Sequence, residues 1–210
     1  MSLSGLHVIL DRDVLGDRDP IRTAERLISA GVRVLQYRDK KHAKREQWPV
    51  LTELSRRTRQ ENCLLIVNDE PDLALAVGAD GVHLGQDDLP LPAARIALGP
   101  DRIIGISTHS VEEAAAAQRD GADYIGLGPI FETRTKPGRS PLGSRAIRDV
   151  RAAVRIPIIA IGGITLRNLP EVLAAGADGA AVITAVLSQD DIEKAARDLL
   201  AVFGHRRQCI

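Results

Sequence analysis

Short apolar runs rich in Val, Ile and Leu recur along the chain, at His7–Leu10, Val32–Gln36, Leu64–Val67, Gly81–Leu84, Ile103–Ile106, Tyr124–Leu127, Pro157–Ile161 and Gly179–Ile183. Within each run the hydrophobicity is continuous rather than alternating, which suits strands covered on both faces in a parallel sheet. Between the runs lie stretches rich in Ala, Glu, Arg and Leu with helical spacing, Val111–Asp120 and Ile192–Leu200 being clear cases. Seven helical patterns alternate with the eight runs, and an eighth helix is predicted over Asp190–Val202.

A partial repeat supports this count. Gly78-Ala79-Asp80-Gly81, Gly121-Ala122-Asp123-Tyr124 and Gly176-Ala177-Asp178-Gly179 each close a helix and open a strand. Glycine at a helix C-terminus supplies the left-handed conformation needed there. Each repeat therefore reads as a helix-to-strand turn, on the face opposite any active site. Eight β–α units in 210 residues predict an α/β protein, a single-domain (β/α)8 TIM barrel spanning 1–210 and near the lower size limit of that fold. An open doubly wound sheet is the alternative architecture. Residues 204–210 are set apart as a tail that need not be ordered.

Composition narrows the function classes. There are 28 acidic and 28 basic residues, so no basic bias points to nucleic acid. One Trp, two Tyr and two Phe are few for a base-stacking or sugar-binding surface. Cys63 and Cys209 form no spacing motif and read as reduced thiols of a cytoplasmic protein. No segment reaches the ~18–20 apolar residues that span a bilayer, and Leu6–Leu10 is too short for a signal peptide. Small molecules are the expected partners, with neither nucleic acid nor membrane, and a homo-oligomer is left open.

In a barrel the residues just after each strand converge at one end. Chemically useful residues collect at those positions. The second strand ends Gln36-Tyr37-Arg38-Asp39-Lys40. Alternation along extended chain puts Gln36, Arg38 and Lys40 on one side and Tyr37 and Asp39 on the other. A guanidinium and an ammonium together suit a diphosphate. The third strand ends Asn68-Asp69, and the fourth is followed by Gln86-Asp87-Asp88. Neighbouring strands lie ~4.8 Å apart, so Asp69 and Asp88 can meet at the mouth and share a magnesium ion. Asp87 competes with Asp88 for that role, and helix capping or a general acid/base pair are further readings. His83 and His109 follow strands four and five, where a structural hydrogen bond is the plainer role for each.

The segment from Gly128 to Gly143 is long for a strand-to-helix connection and holds three glycines, three prolines, three cations and three hydroxyl residues. That composition points to an anionic ligand rather than a solvated basic loop. Gly163, Ile183 and Thr184 stand after strands seven and eight, where barrels often bind a phosphate through backbone N–H groups. Close packing is the alternative reason for Gly162–Gly163. No zinc cluster and no Gly-x-Ser-x-Gly elbow are present.

The motifs Gln36–Lys40, Asn68-Asp69, Gly81–Asp88, Gly105–His109, Gly126–Phe131, Thr133–Pro137 and Ile161–Ile164, in this order, resemble those of the thiamine-phosphate synthase family over nearly the whole chain. The resemblance implies that Arg38, Lys40, Asn68 and Lys136 hold the diphosphate of an aminopyrimidine substrate, with Gln36 and Ser107 at its pyrimidine end. Tyr37 and Asp39 are counted in the same binding segment. Arg38, Lys40, Lys136 and Ser107 are the implied catalytic set. Asp69 and Asp88 are the implied magnesium ligands, and Thr133, Arg134, Thr135, Gly163, Ile183 and Thr184 the thiazole-phosphate site. Two departures stand out. Glu132 replaces the family's frequent proline, which would weaken phosphate binding if it pointed inward, and Leu10 precedes Asp11 where threonine is usual. The implied reaction couples a pyrimidine diphosphate to a thiazole phosphate with release of pyrophosphate. A thiazole tautomerase of a sister family, or a non-catalytic thiazole-phosphate sensor, are the competing expectations.

Overall fold

The eight apolar runs are eight parallel strands that close on themselves in chain order: β1 (Gly5–Asp11), β2 (Val34–Arg38), β3 (Leu64–Asn68), β4 (Gly81–Leu84), β5 (Ile103–Thr108), β6 (Tyr124–Leu127), β7 (Ile158–Ile161) and β8 (Gly179–Val182). The computed structural model describes residues 3–133 and 140–206. Pairing of β1 with β8, Gly5 opposite Gly179, seals the barrel and excludes the open doubly wound sheet. The helices are α1 (Arg12–Leu15), α2 (Pro20–Ser29), α3 (Lys44–Gln60), α4 (Pro71–Ala76), α5 (Leu91–Leu98), α6 (Val111–Arg119), α7 (Arg145–Ala153), α8 (Leu169–Ala174), α9 (Thr184–Leu187) and α10 (Ile192–Arg206). Short helices α1 and α9 were not foreseen, because four residues leave no periodicity to read. Helix α10 runs on through Gly204 to Arg206, and 207–210 lie outside the described residues.

Alternation along the strands makes two cores. Val8, Leu10, Leu35, Leu65, Val82, Ile104, Ile125 and Ile158 are buried against the ring of helices. Ile9, Tyr124, Ile159 and Ala181 form one cluster within the barrel, and Val34, Leu64 and Ile66 another. Helix α2 shows how the outer ring is made. Asp19 caps it by accepting from Ile21 N at 2.8 Å, Pro20 opens it, and Ala24, Leu27 and Ile28 are buried.

The three Gly-Ala-Asp turns share one construction. Gly78, Gly121 and Gly176 have φ of +66°, +95° and +106°, which glycine adopts without strain. The following aspartate then accepts from a backbone N–H at the start of the preceding strand: Asp80 from Leu65 at 2.8 Å, Asp123 from Ile104 at 2.8 Å, and Asp178 from Ile158 at 2.9 Å. These clips tie the N-terminal ends of the strands together. The other end is left for chemistry.

Candidate active site

A cavity of about 680 Å³ opens at the C-terminal ends of the strands and reaches down to Ile9, Tyr124 and Ala181. One wall is built by β2, β3 and β4. Gln36, Arg38, Lys40, Asn68, Asp69 and Asp88 all line it. Tyr37 and Asp39 do not. The strand alternation turns Tyr37 into the core behind the barrel wall, where its hydroxyl donates to Asp39 Oδ2 at 2.9 Å. Asp39 in turn accepts from the backbone N–H of Lys41 at 3.0 Å and of His42 at 3.1 Å. Burial acts to raise the Asp39 pKa, but the N–H groups of His42 and Lys41 and the Tyr37 hydroxyl outweigh it and hold the carboxyl below its ordinary range. This pair shapes the turn into α3 and does not face the cavity.

The cations on this wall are held by carboxylates. Arg38 Nη1 lies 2.5 Å from Oδ2 of Asp11, a carboxylate only 1% exposed at the end of β1. Lys40 pairs with Asp69. Asp69 has φ +63°, a left-handed conformation that Asp tolerates better than most residues, and its N–H donates to the His83 carbonyl at 2.8 Å.

Asp88 accepts from Gly85 N at 2.7 Å. Burial, then the hydrogen-bonding contact with Asp69, raises its pKa. Two carboxylates this close call for a proton or a cation between them. Neither caps a helix, since the N-cap residue of α4 is Glu70 and that of α5 is Pro90, each without a side-chain cap bond. Among the described residues no group of three or more His, Cys, Asp or Glu could hold a metal. An all-protein cage is therefore absent there, whereas a magnesium ion that keeps waters and substrate oxygens needs only one or two carboxylates. Asp69 and Asp88 fit that demand. Asp87 also lines the cavity, so position alone does not eliminate it.

The opposite wall is built by β7, β8 and the stem of the segment after β6. Gly162 and Gly163 have φ of +95° and +63°. A Cβ on Gly162 would lie 2.6 Å from Pro129 Cα, and one on Gly163 would collide with the Glu132 carbonyl. The glycines let that stem lie against the end of β7, where Ile130 N donates to Ile161 O at 2.9 Å and Phe131 N to Gly162 O at 3.0 Å. Close packing and a place at the cavity are thus both true of this pair. Thr133, Gly163, Ile183 and Thr184 line the cavity, while Glu132 is exposed and not among its lining residues. Arg134, Thr135 and Lys136 lie outside the described residues.

The sequence reading singled out His83, Ser107 and His109 but missed Tyr124 and His7, which join them in lining the cavity. Tyr124, 1% exposed, has its hydroxyl 2.9 Å from His83 Nδ1, and His83 Nε2 lies 2.9 Å from Ser107 Oγ. His7 packs edge-on against Tyr124, 5.8 Å between ring centroids, with Nε2 2.7 Å from the Leu3 carbonyl. Burial drives the His7 pKa down to about 4. His109 also lines the cavity, and its Nδ1 is 2.5 Å from the Gly128 carbonyl. A signal for Tyr124 existed. It alternates with Gly126 on a strand otherwise apolar, a large polar-tipped residue where the barrel interior needs filling.

Residues 6–186 match the family model described as thiamine monophosphate synthase. The chain belongs to this family. The thiamine-phosphate synthase of Methanospirillum hungatei is 46% identical over 202 residues, covering 96% of this chain and 98% of that protein. That of Chloroflexus aurantiacus is 46% identical over 198 residues, covering 94% and 91%. Among solved structures, a thiamine phosphate pyrophosphorylase from Pyrococcus furiosus superposes with a TM-score of 0.87 at 37% identity, covering 96% of each chain. Membership extends over both walls of the cavity as far as α9, and the barrel expected for a thiamine-phosphate synthase is the barrel found. Among the described residues no helix is long and apolar enough to cross a membrane.

Proposed function

We propose that this chain is a cytoplasmic transferase that joins 4-amino-2-methyl-5-hydroxymethylpyrimidine diphosphate to 4-methyl-5-(2-phosphoethyl)thiazole, giving thiamine phosphate and pyrophosphate. The observation that carries the reading is one cavity with two different walls. Arg38, Lys40, Asn68 and the Asp69–Asp88 pair form one, and Gly163, Ile183, Thr184 and Thr133 the other. A polar floor of Gln36, His83 and Ser107 lies between them.

The first wall suits a diphosphate, with two cations and an amide donor at one strand-end cluster. Magnesium, when held by Asp69 and Asp88, would neutralise charge on the departing pyrophosphate. The second wall suits a phosphate monoester. Arg134, Thr135 and Lys136, from the segment between Thr133 and Ser140, complete the proposal, with Lys136 assigned to the diphosphate and Thr135 to the monoester. Gln36 and Ser107 are assigned to the pyrimidine.

The chemistry asks little proton transfer of these residues. The methylene C–O bond breaks as pyrophosphate departs, and the amino-substituted ring stabilises the resulting cation. The thiazole nitrogen lone pair then forms the new C–N bond. That nitrogen carries no proton, so no general base is required. The side chains have to stabilise the leaving charge and align two fragments. A tautomerase or a phosphate sensor would need the second wall only, and the assembled first wall favours the synthase. The test is to incubate the purified protein with both substrates, with and without magnesium. Thiamine phosphate should form and depend on the metal, and folded protein that makes none at any magnesium concentration overturns the reading.

A further inference from the structure

The cavity floor carries a hydrogen-bond chain with a direction. Tyr124 Oη is 2.9 Å from His83 Nδ1, and His83 Nε2 is 2.9 Å from Ser107 Oγ. The barrel is built around these rings. A Cβ on Gly105 would collide with the Tyr124 ring, 2.1 Å from Cζ, and one on Gly126 would lie 3.0 Å from His83 Cε1.

A neutral imidazole has one N–H and one lone pair, so of Tyr124 Oη and Ser107 Oγ one gives His83 a hydrogen bond and the other receives one. Tyr124 is 1% exposed and its hydroxyl is 2.9 Å from His83 Nδ1, so the buried phenolic O–H donates to that nitrogen. The ring proton then sits on Nε2 and goes to Ser107 Oγ. The Ser107 hydroxyl proton is left for the cavity. Each bond in such a chain polarises the next, which strengthens the last donor.

We infer that Tyr124 and His83 are positioning residues that hold Ser107 as a hydrogen-bond donor into the cavity, facing an acceptor such as the ring nitrogen of an azaheterocycle. Neither ring has to touch the reacting atoms to do this. The inference rests on the proposed reaction for its ligand, but the direction of the chain is measurable without any ligand.

The experiment is 15N NMR of histidine-labelled protein near pH 8, above the ordinary imidazole pKa of about 6.5. His83 should show its proton on Nε2, and Tyr124→Phe should give a mixture of tautomers with kcat/KM for the pyrimidine diphosphate lower by about tenfold. A proton on Nδ1 in the wild type, or an unchanged tautomer in Tyr124→Phe, overturns the inference. Should Tyr124→Phe not fold, His83→Gln and His83→Leu decide the matter. Glutamine can accept from Tyr124 and donate to Ser107, so it should retain more activity than leucine, and equal loss in both overturns the inference. A wild type with the expected tautomer but no product overturns the proposed reaction instead.

Discussion

Asp11 and Arg38 face each other in register across β1 and β2, with Arg38 Nη1 2.5 Å from Asp11 Oδ2. The other carboxylate oxygen of Asp11 caps α1, accepting from Asp13 N at 2.9 Å and Val14 N at 3.3 Å. One buried side chain therefore starts a helix and aims a cation at the cavity. Asp11→Asn keeps a capping oxygen but loses the ion pair. Its KM for the pyrimidine diphosphate should rise about tenfold or more, while Asp11→Ala, which also loses the cap and strands a largely buried Arg38, should cost roughly 3–5 kcal/mol of stability. Steady-state kinetics and denaturant unfolding check the pair. Unchanged KM in Asp11→Asn would remove Asp11 from the positioning of Arg38.

Asp69→Ala should lose most turnover while the fold survives, since its side chain contacts Lys40 and Asp88 at the mouth and no core residue depends on it. Turnover near wild type with a matching magnesium dependence would take Asp69 out of the metal role. Circular dichroism and a magnesium titration of activity are the measurements.

Stability should depend on pH through His7. Its folded pKa, about 4, lies below the ordinary value because burial disfavours the cation. Between these values the unfolded chain binds a proton that the folded chain does not. The contribution is therefore complete above about pH 6.5 and falls as pH drops toward 4, by up to ~1.4 kcal/mol per pH unit. His7→Phe should show a flatter stability profile than wild type between pH 6.5 and 4. Parallel profiles from urea unfolding would show that another group is responsible.

Asp123→Ala addresses the opposite face. It removes the acceptor of the Ile104 N–H and of Arg95, whose Nη2 lies 2.7 Å away. Stability should fall by roughly 1–3 kcal/mol with kcat and KM unchanged, because the turn lies at the end of the barrel far from the mouth. A selective loss of activity without a loss of stability would contradict the division of labour between the two ends.

The sequence alone determined the barrel and most of its mouth. Continuous apolar runs and a repeated Gly-Ala-Asp turn are local signals, and they are dictated by burial on both faces and by a left-handed backbone, which any reader of the chain can count. Period-2 alternation likewise separated Gln36, Arg38 and Lys40 from Tyr37 and Asp39, although the wider binding segment had included all five. The tertiary structure alone decided most of what meets across strands. Asp11 lies 27 residues from Arg38 and Tyr124 lies 41 from His83, whereas the meeting of Asp69 with Asp88 was legible from strand spacing and only the left-handed backbone at Asp69 was not. Such contacts are set by strand register and by the glycines that leave room for a ring. Sequence spacing carries information along the chain, whereas hydrogen bonds at the barrel floor are made around it.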